Sequence, residues 1–175
     1  GQNRPGPEIS QHTSVLGLLY DVAPEKDKPG LVKNLLTPPH QMTRIGSPFG
    51  MQFLLEALEK TGHYDEILEA IDENYLPMIE SGSTTVWEMF PDSTFDTGRF
   101  PTRSHCHAWA SAPLWFFVRV VLGARQTHPG GTSFEISPWI SRHREASGSH
   151  QTIHGPLTIR WKRIRKQVSM SVDHP

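Results

Sequence analysis

The chain has 175 residues, with 17 Lys and Arg against 18 Asp and Glu, so no overall field draws it to nucleic acid or to an acidic membrane. A lone cysteine, Cys106, excludes an internal disulfide framework and leaves the redox compartment, and with it the localisation, undecided. Apolar residues make up 36%, somewhat low but strongly clustered, and the length suits one ordinary domain, or one with a small second. No apolar run approaches the ~20 residues of a membrane span; the longest, 108–124, is broken by Ser111, Pro113 and Arg119. No basic-plus-apolar leader stands at the N-terminus. The chain starts Gly1-Gln2-Asn3 and stops at Pro175 directly after an alternating pattern, so both ends read as cuts in a longer protein.

The first 125 residues read as helices. Ser10 is an N-cap candidate, followed at helical spacing by Val15, Leu16, Leu18, Leu19 and Val22, with Pro24 ending the run. Leu31, Val32, Leu35 and Leu36 suggest a short second helix, ended by Pro38-Pro39. Phe49, Phe53, Leu54, Ala57 and Leu58 form an amphipathic stripe closed by Gly62. Tyr64, Ile67, Leu68, Ile71 and Tyr75 form another, and the short connection makes the two a helical hairpin. Residues 82–104 carry Gly, Ser, Thr, Pro and Asp without a period, a long loop of the kind that is functional or disordered. Its aromatics, Trp87, Phe90, Phe95 and Phe100, argue against disorder. From Ala108 to Leu122 the sequence is apolar almost all round, which predicts a buried helix with Pro113 near its first turn.

After Gly130-Gly131 the period becomes that of strands. Phe134, Ile136, Pro138 and Ile140 alternate, as do Leu157, Ile159 and Trp161, then Val168, Met170 and Val172. The last two runs read as a hairpin with a basic tip at Lys162–Lys166, a solvated turn. The predicted fold is mainly α then β, with domains at 1–125 and 126–175 and an antiparallel sheet covered on one face.

Chemistry concentrates in two segments. Ser83-Thr84-Thr85-Val86-Trp87-Glu88 sets a carboxylate beside an indole, and Arg103-Ser104-His105-Cys106-His107-Ala108-Trp109 sets two imidazoles and a second indole at the start of the apolar segment. Carboxylate, imidazole and indole suit a carbohydrate site: the acid moves a proton, the imidazole bonds hydroxyls, and the flat ring covers a sugar's apolar face. Asp92 and Asp96 are near enough in sequence to offer a second carboxylate, although solvated loop acids are the default. Arg103 can clamp a substrate oxygen or serve a structural ion pair. His105 and His107 also have a metal-ligand look, with His128, His143 and His150 available by folding, but residues two apart diverge on a helix and no third ligand has local spacing. No metal and no cofactor is therefore expected. Cys106 is either a thiol activated by its imidazole neighbours or a small buried residue.

Thr84-Thr85-Val86-Trp87-Glu88 followed by Ser104-His105-Cys106-His107-Ala108-Trp109 resembles the C-terminal half of glycoside hydrolase family 78 α-L-rhamnosidases, which are six-hairpin (α/α)6-barrel glycosidases. Gly46-Ser47-Pro48-Phe49 and Gly62-His63-Tyr64-Asp65-Glu66 look like late barrel hairpins of that family, and Phe134-Glu135-Ile136-Ser137-Pro138 with His154-Gly155-Pro156-Leu157 like its linker into a C-terminal β-sandwich. The resemblance runs from about residue 8 onward. It implies hydrolysis of terminal α-L-rhamnose with inversion, with Glu88 as the general base that activates water. His107 matches the sugar-binding histidine of the later motif, with His105 as the alternative match, because many members carry Phe-Asn-His there. Trp87 would line the sugar pocket, with Arg103 and Trp109 beside it.

An inverting glycosidase needs two carboxyl groups about 6.5–9.5 Å apart. The family's general acid comes from an earlier barrel segment that nothing in this chain matches. The expected partners are thus a rhamnose-containing carbohydrate and the missing N-terminal part of the same barrel. The chain alone is expected to be inactive, and its exposed half-barrel face to promote association. Alternatives are a six-hairpin glycosidase of other sugar preference, a non-catalytic carbohydrate-binding or scaffold protein that keeps the helical fold, and a metal-dependent hydrolase.

Overall fold

Ser10 caps the first helix as its sequence requires. Its backbone is extended, and its hydroxyl accepts the Thr13 N–H at 3.4 Å, satisfying one of the amides that a helix start leaves open. The computed structural model describes residues 10–90 and 102–175. Helices α1 (Gln11–Leu19), α2 (Lys28–Leu36), α3 (Pro48–Lys60) and α4 (Tyr64–Glu80) are followed by the short α5 (Ala112–Phe116). Strands β1 (Ala124–Gln126) and β2 (Phe134–Ile136) pair antiparallel, and β3 (Glu145–Thr152), β4 (Gly155–Ile164) and β5 (Gln167–Asp173) form an antiparallel sheet in that order. Among the described residues no helix is long and apolar enough to cross a membrane.

Two compact units result, Gly1–Ala112 and Pro113–Pro175. The change of periodicity predicts domains at 1–125 and 126–175; the compact units divide between Ala112 and Pro113. The turns in between side with the sheet: Val118, Val121 and Leu122 pack against Leu157, Ile159 and Trp161, and the Trp161 indole N–H donates to the Val121 carbonyl at 2.7 Å.

In the first unit α1 packs on α2 and α3, and α3 on α4. Buried Gln11 ties three segments together. Its amide nitrogen donates to the Leu35 carbonyl at 3.4 Å, and its amide oxygen accepts the Ile45 N–H at 2.9 Å. Ser47 caps α3 by accepting the Gly50 N–H at 3.3 Å, with Pro48 at the first helical position. Gly62, at φ +80°, ends that helix: its N–H donates to Glu59, and the His63 N–H reaches back to Leu58 at 2.8 Å. This is the left-handed cap that glycine permits. The α3 stripe is buried at Met51, Leu54, Leu55, Ala57 and Leu58, but Phe49 falls off it and is 50% exposed. In α4, Ile67, Leu68, Ile71, Tyr75 and Met78 are buried.

The apolar segment after Ala108 departs from the expected single buried helix. It comprises a 3-10 turn (Ala108–Ala110), α5 and a π-helical turn (Phe117–Val121). Trp109, Leu114, Trp115 and Phe117 are exposed. In the second unit β1 and β2 are short, because Ser137 and Trp139 turn their N–H groups to Gly123 and Val120. A Cβ on Gly123 would lie 2.1 Å from the Pro138 nitrogen, so only glycine allows that approach. Strand β3 is nearly devoid of large apolar residues. Its Gly148 leaves room for Leu122, whose Cδ1 would stand 2.7 Å from an added Cβ. The basic tip is narrower than its charge run, since Lys162 and Arg163 lie within β4 and only Arg165 and Lys166 make the turn.

Candidate active site

Two segments of irregular backbone run side by side here, 83–90 and 102–107. The Glu88 N–H donates to the Ser104 carbonyl and the His107 N–H to the Val86 carbonyl, both at 3.0 Å. The Met89 N–H donates to the buried Thr102 hydroxyl at 3.1 Å, and that hydroxyl donates on to the Ser104 carbonyl at 3.2 Å. The Thr85 hydroxyl donates to the His105 carbonyl. The first segment also folds on itself. Gly82, at φ +84°, closes α4, and the Ser83 hydroxyl donates to the Thr85 carbonyl at 2.6 Å and accepts the Trp87 indole N–H at 2.7 Å. Hydroxyl residues at 83, 85 and 102 thereby do the work that a strand ladder does elsewhere.

Alternation along 86–90 sets the surroundings of the acid. Trp87 and Met89 are buried, whereas the Glu88 side chain keeps 19% of its surface exposed and lies 3.3 Å from the Arg103 guanidinium. An ion pair of this kind adds at most about 1 kcal/mol of stability; its larger effect is to fix the direction of the carboxylate. Phe90 packs edge-on to Tyr75 on α4 at 5.3 Å. The Tyr75 hydroxyl is buried without a hydrogen-bond partner among the described residues, and this burial pushes its pKa well up.

The second segment carries the rings. His105 stands edge-to-face against Trp87 at 5.0 Å, and His107 lies against Trp109 at 4.3 Å. Trp109 in turn meets Phe49 of α3 at 5.2 Å, and Phe49 meets Phe53 at 5.5 Å. Trp109 is 51% exposed, while Trp87 is only 5% exposed. The open aromatic face therefore belongs to Trp109, and Trp87 backs the site from within. Cys106 is exposed and free, and its N–H and carbonyl are held by the Ser104 hydroxyl.

A family model described as the bacterial α-L-rhamnosidase six-hairpin glycosidase domain matches residues 7–121. The chain belongs to that family. Similar to this rhamnosidase-family chain is an α-L-rhamnosidase from Alteromonas sp. (strain LOR), 25% identical over 178 residues that cover 95% of this chain and 19% of the relative. A GH78 family rhamnosidase of Bacillus sp. GL1, known from its crystal structure, superposes with a TM-score of 0.87 at 31% identity, over 94% of this chain and 18% of that one. The α-L-rhamnosidase from Dictyoglumus thermophilum shares the fold, with a TM-score of 0.71 at 24% identity over 95% of this chain and 19% of that one. The chain thus spans about a fifth of the length of the rhamnosidases it matches.

Within this rhamnosidase-family segment all six site residues read from the sequence, Trp87, Glu88, Arg103, His105, His107 and Trp109, fall on the two paired segments or the turn that follows them. Asp92, Asp96, Phe95 and Phe100 lie outside the described residues. Sequence reasoning missed Phe49, whose place in a helical stripe reads as core. It also gave no sign of the Thr102 hydroxyl. Among the described residues no three His, Cys, Asp or Glu side chains gather as a metal site would need. The second unit has its own cavity of about 420 Å³, lined by Phe134, Ile136, Leu157, Val172, His154 and His174 among others; none of the six site residues lines it.

Proposed function

We propose that this chain is the late part of an (α/α)6 barrel followed in sequence by the beginning of a β-sandwich, in an enzyme that removes terminal α-L-rhamnose with inversion, and that Glu88 is its general base. The pairing of 83–90 with 102–107 carries the reading. It holds the backbone of Glu88 and of His107 through hydrogen bonds to the facing segment and sets Arg103 beside the carboxylate. In the proposed mechanism a water bound to Glu88 loses its proton to the carboxylate as it attacks the anomeric carbon, while the glycosidic C–O bond breaks and the leaving oxygen takes a proton from a second carboxyl group. Arg103 keeps the carboxylate oxygens aimed. His107, or His105 in the alternative match, bonds sugar hydroxyls, and Trp109 covers the sugar's apolar face. Trp87 contributes from behind, through its contact with His105.

Inversion needs a second, protonated carboxyl group about 6.5–9.5 Å from the first. In this reading it comes from the rest of the barrel, outside this chain, and the chain alone is inactive. The mechanism uses carboxyl groups and water, without a metal or cofactor. The test is Glu88→Gln in the intact enzyme. Turnover of an aryl α-L-rhamnoside is expected to fall ~10²–10⁴-fold with rhamnose binding retained, and the wild type should release β-L-rhamnose first, seen by NMR. Unchanged turnover in the variant would remove Glu88 from the chemistry and leave a sugar-binding scaffold.

A further inference from the structure

We infer that Phe49 and Trp109 together form the apolar receptor for the methyl-bearing face of the 6-deoxy sugar, an assignment that rests on the rhamnosidase reading above. Phe49 stands at the second position of α3, outside the buried stripe of that helix, and is 50% exposed; Trp109, in the 3-10 turn Ala108–Ala110, is 51% exposed. The two rings are 5.2 Å apart and inclined at 48°, with Phe53 closing one end at 5.5 Å and His107 the other at 4.3 Å. The row is continuous with the acid's own backbone, because the His107 N–H is bonded to the Val86 carbonyl, two residues before Glu88. Large rings that pack on one another while keeping half their surface open offer the apolar patch on which a ligand stacks.

The start of α3 is held firmly. Ser47 caps it, Gln11 fixes Ile45, and an added Cβ on Gly50 would come within 2.8 Å of Ile45 Cγ2. The platform is therefore built before a sugar arrives. Its chemistry selects among sugars. Rhamnose carries a methyl group where mannose carries a hydroxymethyl. A methyl laid on Phe49 and Trp109 leaves water at no polar cost. A hydroxymethyl placed there gives up water for a phenyl ring that has neither donor nor acceptor. A hydrophobic pocket turns away an analogue that merely adds a hydroxyl by no more than about 10²-fold.

The experiment measures the preference of the intact enzyme for an aryl α-L-rhamnoside over the aryl α-L-mannoside, together with saturation transfer from aromatic protons to the methyl of free L-rhamnose. Phe49→Ala should lower the kcat/KM ratio about tenfold, chiefly through KM, and weaken the transfer to the part that Trp109 supplies, while Phe49→Tyr should keep both. Phe49→Gln gives the same reading if the alanine variant loses its fold. An unchanged ratio and unchanged transfer, in an enzyme that Glu88→Gln still inactivates, overturn the platform alone. A wild-type enzyme that neither cleaves rhamnosides nor binds rhamnose overturns the parent reading and the platform with it.

Discussion

Glu88 and Glu145 are each paired with a cation, Arg103 at 3.3 Å and Lys162 at 2.8 Å, and the two pairs stand in different surroundings. Glu145 faces Lys162 directly across the β3–β4 ladder with 63% of its side chain exposed, and the hydrogen bond from Lys162 holds its carboxyl below the usual carboxylate range. Such a pair is a solvated cross-strand contact that adds little to stability. Glu88 is 19% exposed and sits between buried Trp87 and Met89, on backbone anchored by hydrogen bonds from outside any helix or strand. Regular structure in the second unit leaves its acids to solvent. The first unit gives up regular structure at 83–90 and 102–107, and thereby holds Glu88, Arg103, Trp87, His105 and His107 in one place. This is the arrangement that loops on a firm scaffold make possible.

The contrast can be broken by substitution. The largest effect belongs to the paired carboxylates: Glu88→Gln should lower turnover of the intact enzyme ~10²–10⁴-fold, and Glu145→Gln should leave kcat unchanged in the same assay. Comparable losses from both would erase the distinction. Next comes the second unit's core. Trp161, 2% exposed with its indole N–H on the Val121 carbonyl, should cost ~3–5 kcal/mol when cut to alanine, read from denaturant titration of the sheet. Smaller is Thr102→Val, which strips the Met89 N–H of its acceptor and should cost ~1–3 kcal/mol. Because Thr102 also braces Ser104, kcat should fall with it, whereas Trp161→Phe should spare kcat.

The smallest effect is electrostatic. The hydrogen bond from Lys60, then that from Lys28, holds the Asp21 carboxyl below its ordinary value of 3.8. A pKa lowered by folding stabilises fully above the unfolded value and is lost as pH falls through the lower, folded one. Asp21→Asn should therefore melt slightly below the wild type at pH 7, and the gap should close as the pH drops under 3.8. A gap that persists in acid would assign the effect to packing.

Much of this was legible in the residues alone. The caps at Ser10 and Gly62, the burial of Leu54, Leu58, Ile67 and Ile71, and the β4–β5 hairpin follow from period and turn chemistry. The motif pair around Glu88 and His107 sufficed to suggest the rhamnosidase family to which the chain belongs. Strand β3 was not legible. Its inward positions are Ala146, Gly148, His150 and Thr152, too small or too polar to show an apolar alternation, and it exists because β4 offers a complete ladder.

What the sequence by itself determined is which residues prefer to leave water and where the chain must turn, since both depend on neighbours a few positions away. Only the tertiary structure decided that Trp87 is covered and Trp109 open, that Phe49 stands off its stripe, and that the 108–122 segment breaks into turns with rings on its surface. Those outcomes depend on what packs opposite each side chain, and that partner lies far along the chain, where no local period can encode it.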